Sequence, residues 1–203
     1  MAPLAPQPAD AVTTFALIHG AWDRVAWAGV PDELWRMGHE AVAPDLSCDE
    51  PGATFDDDAA IVLGALEDVR GDDVVVVGFS LGDHTAALVA AARPVRELVY
   101  LAAMVPEPGV SLSHQFGHGD RMLLREYAAG VEGPDEGGSA GGSTSTRTTA
   151  TSCHDCPEPV ARERFERSRE LPGSHSPMAS RPEELTRLLV AGVSKDGSHG
   201  EAS

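Results

Sequence analysis

Three short stretches of the chain carry residue types that could do nucleophilic chemistry together. The first is Gly78-Phe79-Ser80-Leu81-Gly82. It follows an apolar run and opens a stretch of helical periodicity, which is the strand-turn-helix setting that the G-x-S-x-G nucleophile elbow requires. A serine so placed stands on a tight, strained turn above a sheet, and small residues two places to either side let strand and helix approach. The second is His19-Gly20-Ala21-Trp22, also at the end of an apolar run. A sharp turn there can aim the backbone N–H of Ala21 at a developing oxyanion, and the N–H of Leu81 would complete the hole. The third is Leu171-Pro172-Gly173-Ser174-His175-Ser176-Pro177. Its Pro and Gly residues hold His175 out of any regular element, so that it can reach a nucleophile far away in sequence.

Each stretch also has a plainer reading. Gly78 and Gly82 would suit any tight strand-to-helix turn with Ser80 as its N-cap, and His-Gly after a strand is a common turn. One histidine among eight is more often a surface residue than a base. His175 is singled out by its position after Ser80 and by the chemistry of its loop.

The elements that must position these residues belong to an α/β architecture. From Thr13 to about Ala103, short apolar runs alternate with helical stretches, as in a parallel sheet covered by helices on both faces. Continuous apolar runs predict strands at Thr14 to His19, Glu40 to Pro44, Asp73 to Gly78 and Glu97 to Ala102. Helices are predicted at Ala26 to Met37, Phe55 to Val69, Ser80 to Ala92, Pro159 to Arg169 and Pro182 to Ala191, the last closed by Gly192. Leu171 to Met178 is predicted as a loop.

The chain is read as one domain of 203 residues. Residues 1–12 form an N-terminal tail, 106–169 a reduced cap or insert, and 195–203 a C-terminal tail. Within the cap, 130–152 is mostly Gly, Ser and Thr, a composition expected to be flexible because it buries too little apolar surface to offset chain ordering.

Together these features resemble the α/β-hydrolase superfamily, and most closely its compact branch of methyl esterases, hydroxynitrile lyases and bacterial relatives. The resemblance rests on Phe15 to Trp22, Val42-Ala43-Pro44-Asp45-Leu46, Val76 to Gly82, and Pro172 to Met178 continuing through Arg181-Pro182-Glu183-Glu184-Leu185, in that order. It implies that Ser80 attacks an acyl carbonyl and His175 takes and returns the proton, while Ala21 and Leu81 hold the oxyanion. An ester or thioester of a small molecule is the implied substrate, with no metal and no organic cofactor. Hydroxynitrile lyase activity fits poorly, since those lyases carry Lys directly after the base and this chain has Ser176.

The resemblance also implies a carboxylate for His175. Asp155 is the first candidate, between Ser80 and His175 and ahead of a helix; Glu107, just past the strand ending at Ala102, is the second. A third reading is that no acid exists, leaving a shortened hydrolase-like protein that binds a ligand or partner and turns over little. Asp83 is a further departure, because relatives carry Gly there. Its carboxylate favours a first helical turn yet opposes a nearby oxyanion. Cys153-x-x-Cys156 with His154 and Asp155 lacks the second knuckle of a structural zinc site.

Net charge narrows the partners. With 15 basic and 32 acidic side chains the chain carries -17, which repels phosphate backbones and anionic lipid. Neither nucleic acid nor membrane is expected as a partner. Cys48, Cys153 and Cys156 are too few for a disulfide framework and fit a reducing, cytoplasmic compartment.

Overall fold

Strand residues that are apolar in unbroken runs need cover on both faces, and the structure supplies it. The chain runs β1 (Thr14–Ile18), α1 (Val30–Arg36), β2 (Glu40–Val42), α2 (Phe55–Ala65) and β3 (Val74–Phe79). It continues with α3 (Gly82–Ala92), β4 (Glu97–Leu101), α4 (Pro177–Ser180) and α5 (Pro182–Val193). This computed structural model describes residues 12–21, 26–47, 50–69, 73–103, 114, 169, 171–172 and 175–193. The tails apart from Val12, almost all of the 106–169 cap, the 159–169 helix apart from Arg169, all three cysteines, and Asp155 and Glu107 lie outside the described residues.

All four strands are parallel, in the order β2-β1-β3-β4. Every residue of β1 and β3 is buried. Alternation along these two strands divides the core into two layers. Phe15, Leu17, Val75, Val77 and Phe79 pack with Val30 and Leu34 of α1 and Leu185, Leu189 and Val193 of α5. Ala16, Ile18, Val74 and Val76 pack against Val62 of α2 and Ala86 and Val89 of α3. This is the α/β-hydrolase fold, a parallel sheet with helices on both faces.

The helices begin and end where local chemistry dictates. The helix expected from Ala26 starts at Val30, because Gly29 is left-handed (φ 90°) and the preceding residues form a turn closed by Val30 N–H donating to Trp27 O at 3.0 Å. α2 opens on a capping box between Thr54 and Asp57. It ends at Ala65, short of the expected Val69. The Arg93 guanidinium donates to the carbonyls of Leu66 and Val69, both at 3.0 Å, taking up acceptors that a longer helix would use internally. α5 passes through Gly192 to Val193, whose carbonyl accepts from Arg96 Nη2 at 2.9 Å, so the expected stop at Gly192 does not occur. The loop expected up to Met178 gives way to α4 at Pro177, a residue preset for a first helical turn.

Candidate active site

Ser80 leaves β3 with φ 54°, a left-handed conformation that costs a non-glycine residue about 1–2 kcal/mol. The cost is borne by close packing on three sides. The N–H of Ser80 donates to Leu101 O of β4 at 3.0 Å. A Cβ on Gly78 would stand 2.8 Å from Ala86 Cβ and 2.5 Å from Asp83 Oδ1, so only glycine lets α3 lie this close to β3. A Cβ on Gly82 would collide with the His19 carbonyl oxygen and come within 2.9 Å of Ile18 O. The glycines at both ends of the motif therefore answer to identifiable neighbours. The reading of Ser80 as an N-cap is corrected here. α3 begins at Gly82 with Leu81 in the cap position and no side-chain cap bond, because the hydroxyl is directed elsewhere.

It is directed at His175. Ser80 Oγ lies 3.1 Å from His175 Nε2, across 95 residues of sequence. The imidazole is delivered by the layer formed by α1 and α5. Pro177 and Met178 are buried, Met178 completely, and α5 then packs on α1. Burying a methionine contributes roughly 2 kcal/mol, and three residues of chain from that anchor bring His175 to the elbow. Burial pushes the His175 pKa below its ordinary 6.5, so at neutral pH the ring is the neutral base that can accept a hydroxyl proton.

The turn after β1 presses on the same spot. A Cβ on Gly20 would lie 3.1 Å from Ser80 Cβ and 3.0 Å from Phe79 O, so Ala21 follows a residue in direct contact with the elbow, and Leu81 follows Ser80 itself. The sequence motif said nothing about how this turn is held. His19 is buried, its Nδ1 2.8 Å from Gly20 O, while its Nε2 accepts the N–H of Leu46 at 3.1 Å. An imidazole that accepts at Nε2 has Nδ1 as its donor, here toward Gly20 O. Asp45 Oδ1 stands 3.8 Å from the same Nε2, but the lone pair there is already engaged by Leu46. The imidazole thus ties the β1 turn to the segment after β2, a link between residues 27 apart that neither stretch discloses alone.

Asp83 is fully buried under the first turn of α3, against Gly78. Tyr100 has its phenol pKa raised by burial and, second, by the Asp83 charge. The candidate acids Asp155 and Glu107 lie outside the described residues. Among the described residues, no group of three or more His, Cys, Asp or Glu could hold a metal ion. Nor is any helix among them long and apolar enough to cross a membrane.

Residues 15–152 match the model of the alpha/beta hydrolase family. The chain belongs to that family. A carbendazim hydrolyzing esterase from Nocardioides sp. (strain SG-4G) is 34% identical over 112 residues, covering 50% of this chain and 46% of that protein. The chain thus spans about half the length of the curated relative it matches. The solved structure of the pyrethroid hydrolase PytH superposes with a TM-score of 0.66 at 18% identity, covering 93% of this chain and 100% of that one. An alpha/beta hydrolase from the metagenome of Mar Chica lagoon sediments gives 0.51 at 17% identity, covering 90% of each chain. At these identities the two structures speak for the fold.

Proposed function

We propose that the protein hydrolyses a carboxylic ester or thioester of a small molecule through an acyl-enzyme. The observation that carries this reading is the 3.1 Å approach of His175 Nε2 to Ser80 Oγ on a turn strained into φ 54°. Ser80 Oγ bonds to the acyl carbon while its proton passes to His175 Nε2, and the backbone N–H groups of Ala21 and Leu81 receive the oxyanion. The tetrahedral centre collapses with loss of the alcohol or thiol, which takes the proton from the imidazolium. Water, deprotonated by the same nitrogen, then releases the acid and restores the serine. Asp155 remains the first candidate to orient the ring and Glu107 the second. The segments from Phe15 to Trp22 and from Pro172 to Met178 support a place beside the compact methyl esterases, and cysteine usage supports a cytoplasmic one. The esterase relative supports an ester as the substrate.

The second reading, a hydrolase-like binding protein with little turnover, is favoured by buried Asp83, whose charge at the head of α3 opposes an oxyanion. A fluorophosphonate probe separates the two. Under the first, intact-mass analysis shows a single adduct on Ser80 that is absent from Ser80→Ala, and a p-nitrophenyl ester is turned over. A folded protein that takes up no probe and releases no nitrophenol sinks the acyl-enzyme reading.

A further inference from the structure

We infer that Phe79, the residue directly before the nucleophile, is a positioning residue for His175, its ring bracing the imidazole against Ser80 and keeping water from it. This rests on the acyl-transfer reading above and names a part that the reading does not contain. The Phe79 and His175 rings lie 5.1 Å apart between centroids, tilted by 45°. Phe79 is itself fixed: it ends β3, is buried, pairs with Leu101 and meets the Trp27 ring edge-on at 6.4 Å and 77°.

Strand parity explains why this residue does the work. Consecutive residues of β3 face opposite layers, so Gly78 faces α3 while Phe79 faces the layer of α1 and α5, from which His175 arrives. The next residue turns out of the strand and brings its hydroxyl to the same ring. A hydrogen bond at Nε2 fixes one direction of the imidazole. The Phe79 contact on the flank of the ring adds a constraint in another direction, and small misplacements of a base are costly to turnover. Burial lowers the His175 pKa, and an apolar ring on its flank acts in the same direction. The polar atom facing the ring from the elbow is Ser80 Oγ.

The test titrates the His175 imidazole by 15N NMR in the full chain, alongside steady-state kinetics on a p-nitrophenyl ester. Phe79→Ala is expected to raise the imidazole pKa toward 6.5 and to lower kcat about tenfold with little change in KM. Phe79→Leu, which keeps the apolar bulk without the flat face, should hold the pKa down yet lose part of kcat, and Phe79→Tyr should restore both. A folded Phe79→Ala protein whose imidazole titrates as in wild type overturns the inference. Should Phe79→Ala not fold, identical titration and kcat in wild type, Phe79→Leu and Phe79→Tyr overturn it equally. If the wild type neither turns over ester nor takes up fluorophosphonate, the acyl-transfer reading fails by itself. The titration then decides Phe79 separately, since it needs no activity.

Discussion

Where the strands begin, Asp73 Oδ1 accepts from Thr13 Oγ1 at 3.1 Å and from Arg96 Nη1 at 2.9 Å, while Arg96 Nη2 donates to the last carbonyl of α5. Where they finish, Ser80 is held at φ 54° and Ala102, just past β4, at φ 47°. Glycines there sit at contacts that no side chain could enter. One end is fastened by polar groups in relaxed geometry. The other stores backbone strain, about 1–3 kcal/mol per residue, and keeps a serine and a histidine facing each other. Strain concentrated where reactive side chains meet is what a preorganised site looks like. The fastened end helps explain why the strands tolerate it.

The sharpest way to test the contrast is to remove the base. His175→Ala should lower kcat by about 10⁴-fold or more, as loss of a histidine acting as a unit with its serine does in other hydrolases, with thermal unfolding shifted little. In wild type the lowered pKa of His175 keeps the ring neutral as pH falls through 6.5. Activity should therefore persist below that value and decline only at more acid pH. An acid limb centred at or above 6.5 would contradict the proposed role of the buried His175 imidazole at this end of the sheet.

Next in size is Gly82→Ala. The added methyl would meet backbone atoms of Ile18 and His19, which cannot rotate aside as a side chain would. α3 must then move away from the turn carrying Ala21. We expect a loss of about 3 kcal/mol in urea unfolding, together with a drop in kcat from the displaced N–H groups. A variant as stable and active as wild type would mean that the elbow is looser than the glycine contacts imply.

Much of this is legible in the sequence. β1 and β3 are marked by being apolar at almost every position, as strands covered on both faces are, and the tight turn at Ser80 by the glycines two places to either side. His175 stood out through the Pro and Gly around it. What escaped notice depends on which distant segment returns to which face. The flank of His175 met by Phe79, and the reach of His19 to Leu46, are set by tertiary packing and leave no local mark. The late start of α1 turns on one left-handed glycine, Gly29, whose effect periodicity cannot register.

A smaller effect is expected from Asp83→Asn, which keeps the shape of a fully buried side chain and removes a charge opposed to the oxyanion. Turnover should rise about threefold, the scale of a modest electrostatic gain near a helix start, with KM little changed. A fall in kcat without unfolding would assign Asp83 to support of the elbow through its neighbours Gly78 and Tyr100.

The smallest effect belongs to the fastened end. Arg96 and Asp73 are each about one-third exposed, at 30% and 34%, so solvent screens their attraction, and Arg96→Ala should cost about 1 kcal/mol of stability. The backbone N–H of Arg96 donates to Val74 O at 2.8 Å, a bond that does not involve the side chain, so the strand pairing next to it should survive. Kinetics on an ester substrate should be unchanged, since Ser80 and His175 meet at the far end of β3. A double-mutant cycle with Asp73→Ala isolates the pair from the bond to Val193. A change in kcat from Arg96→Ala at constant stability would show that the two ends are mechanically coupled through β3, and that the strain at Ser80 is maintained from the opposite edge of the sheet.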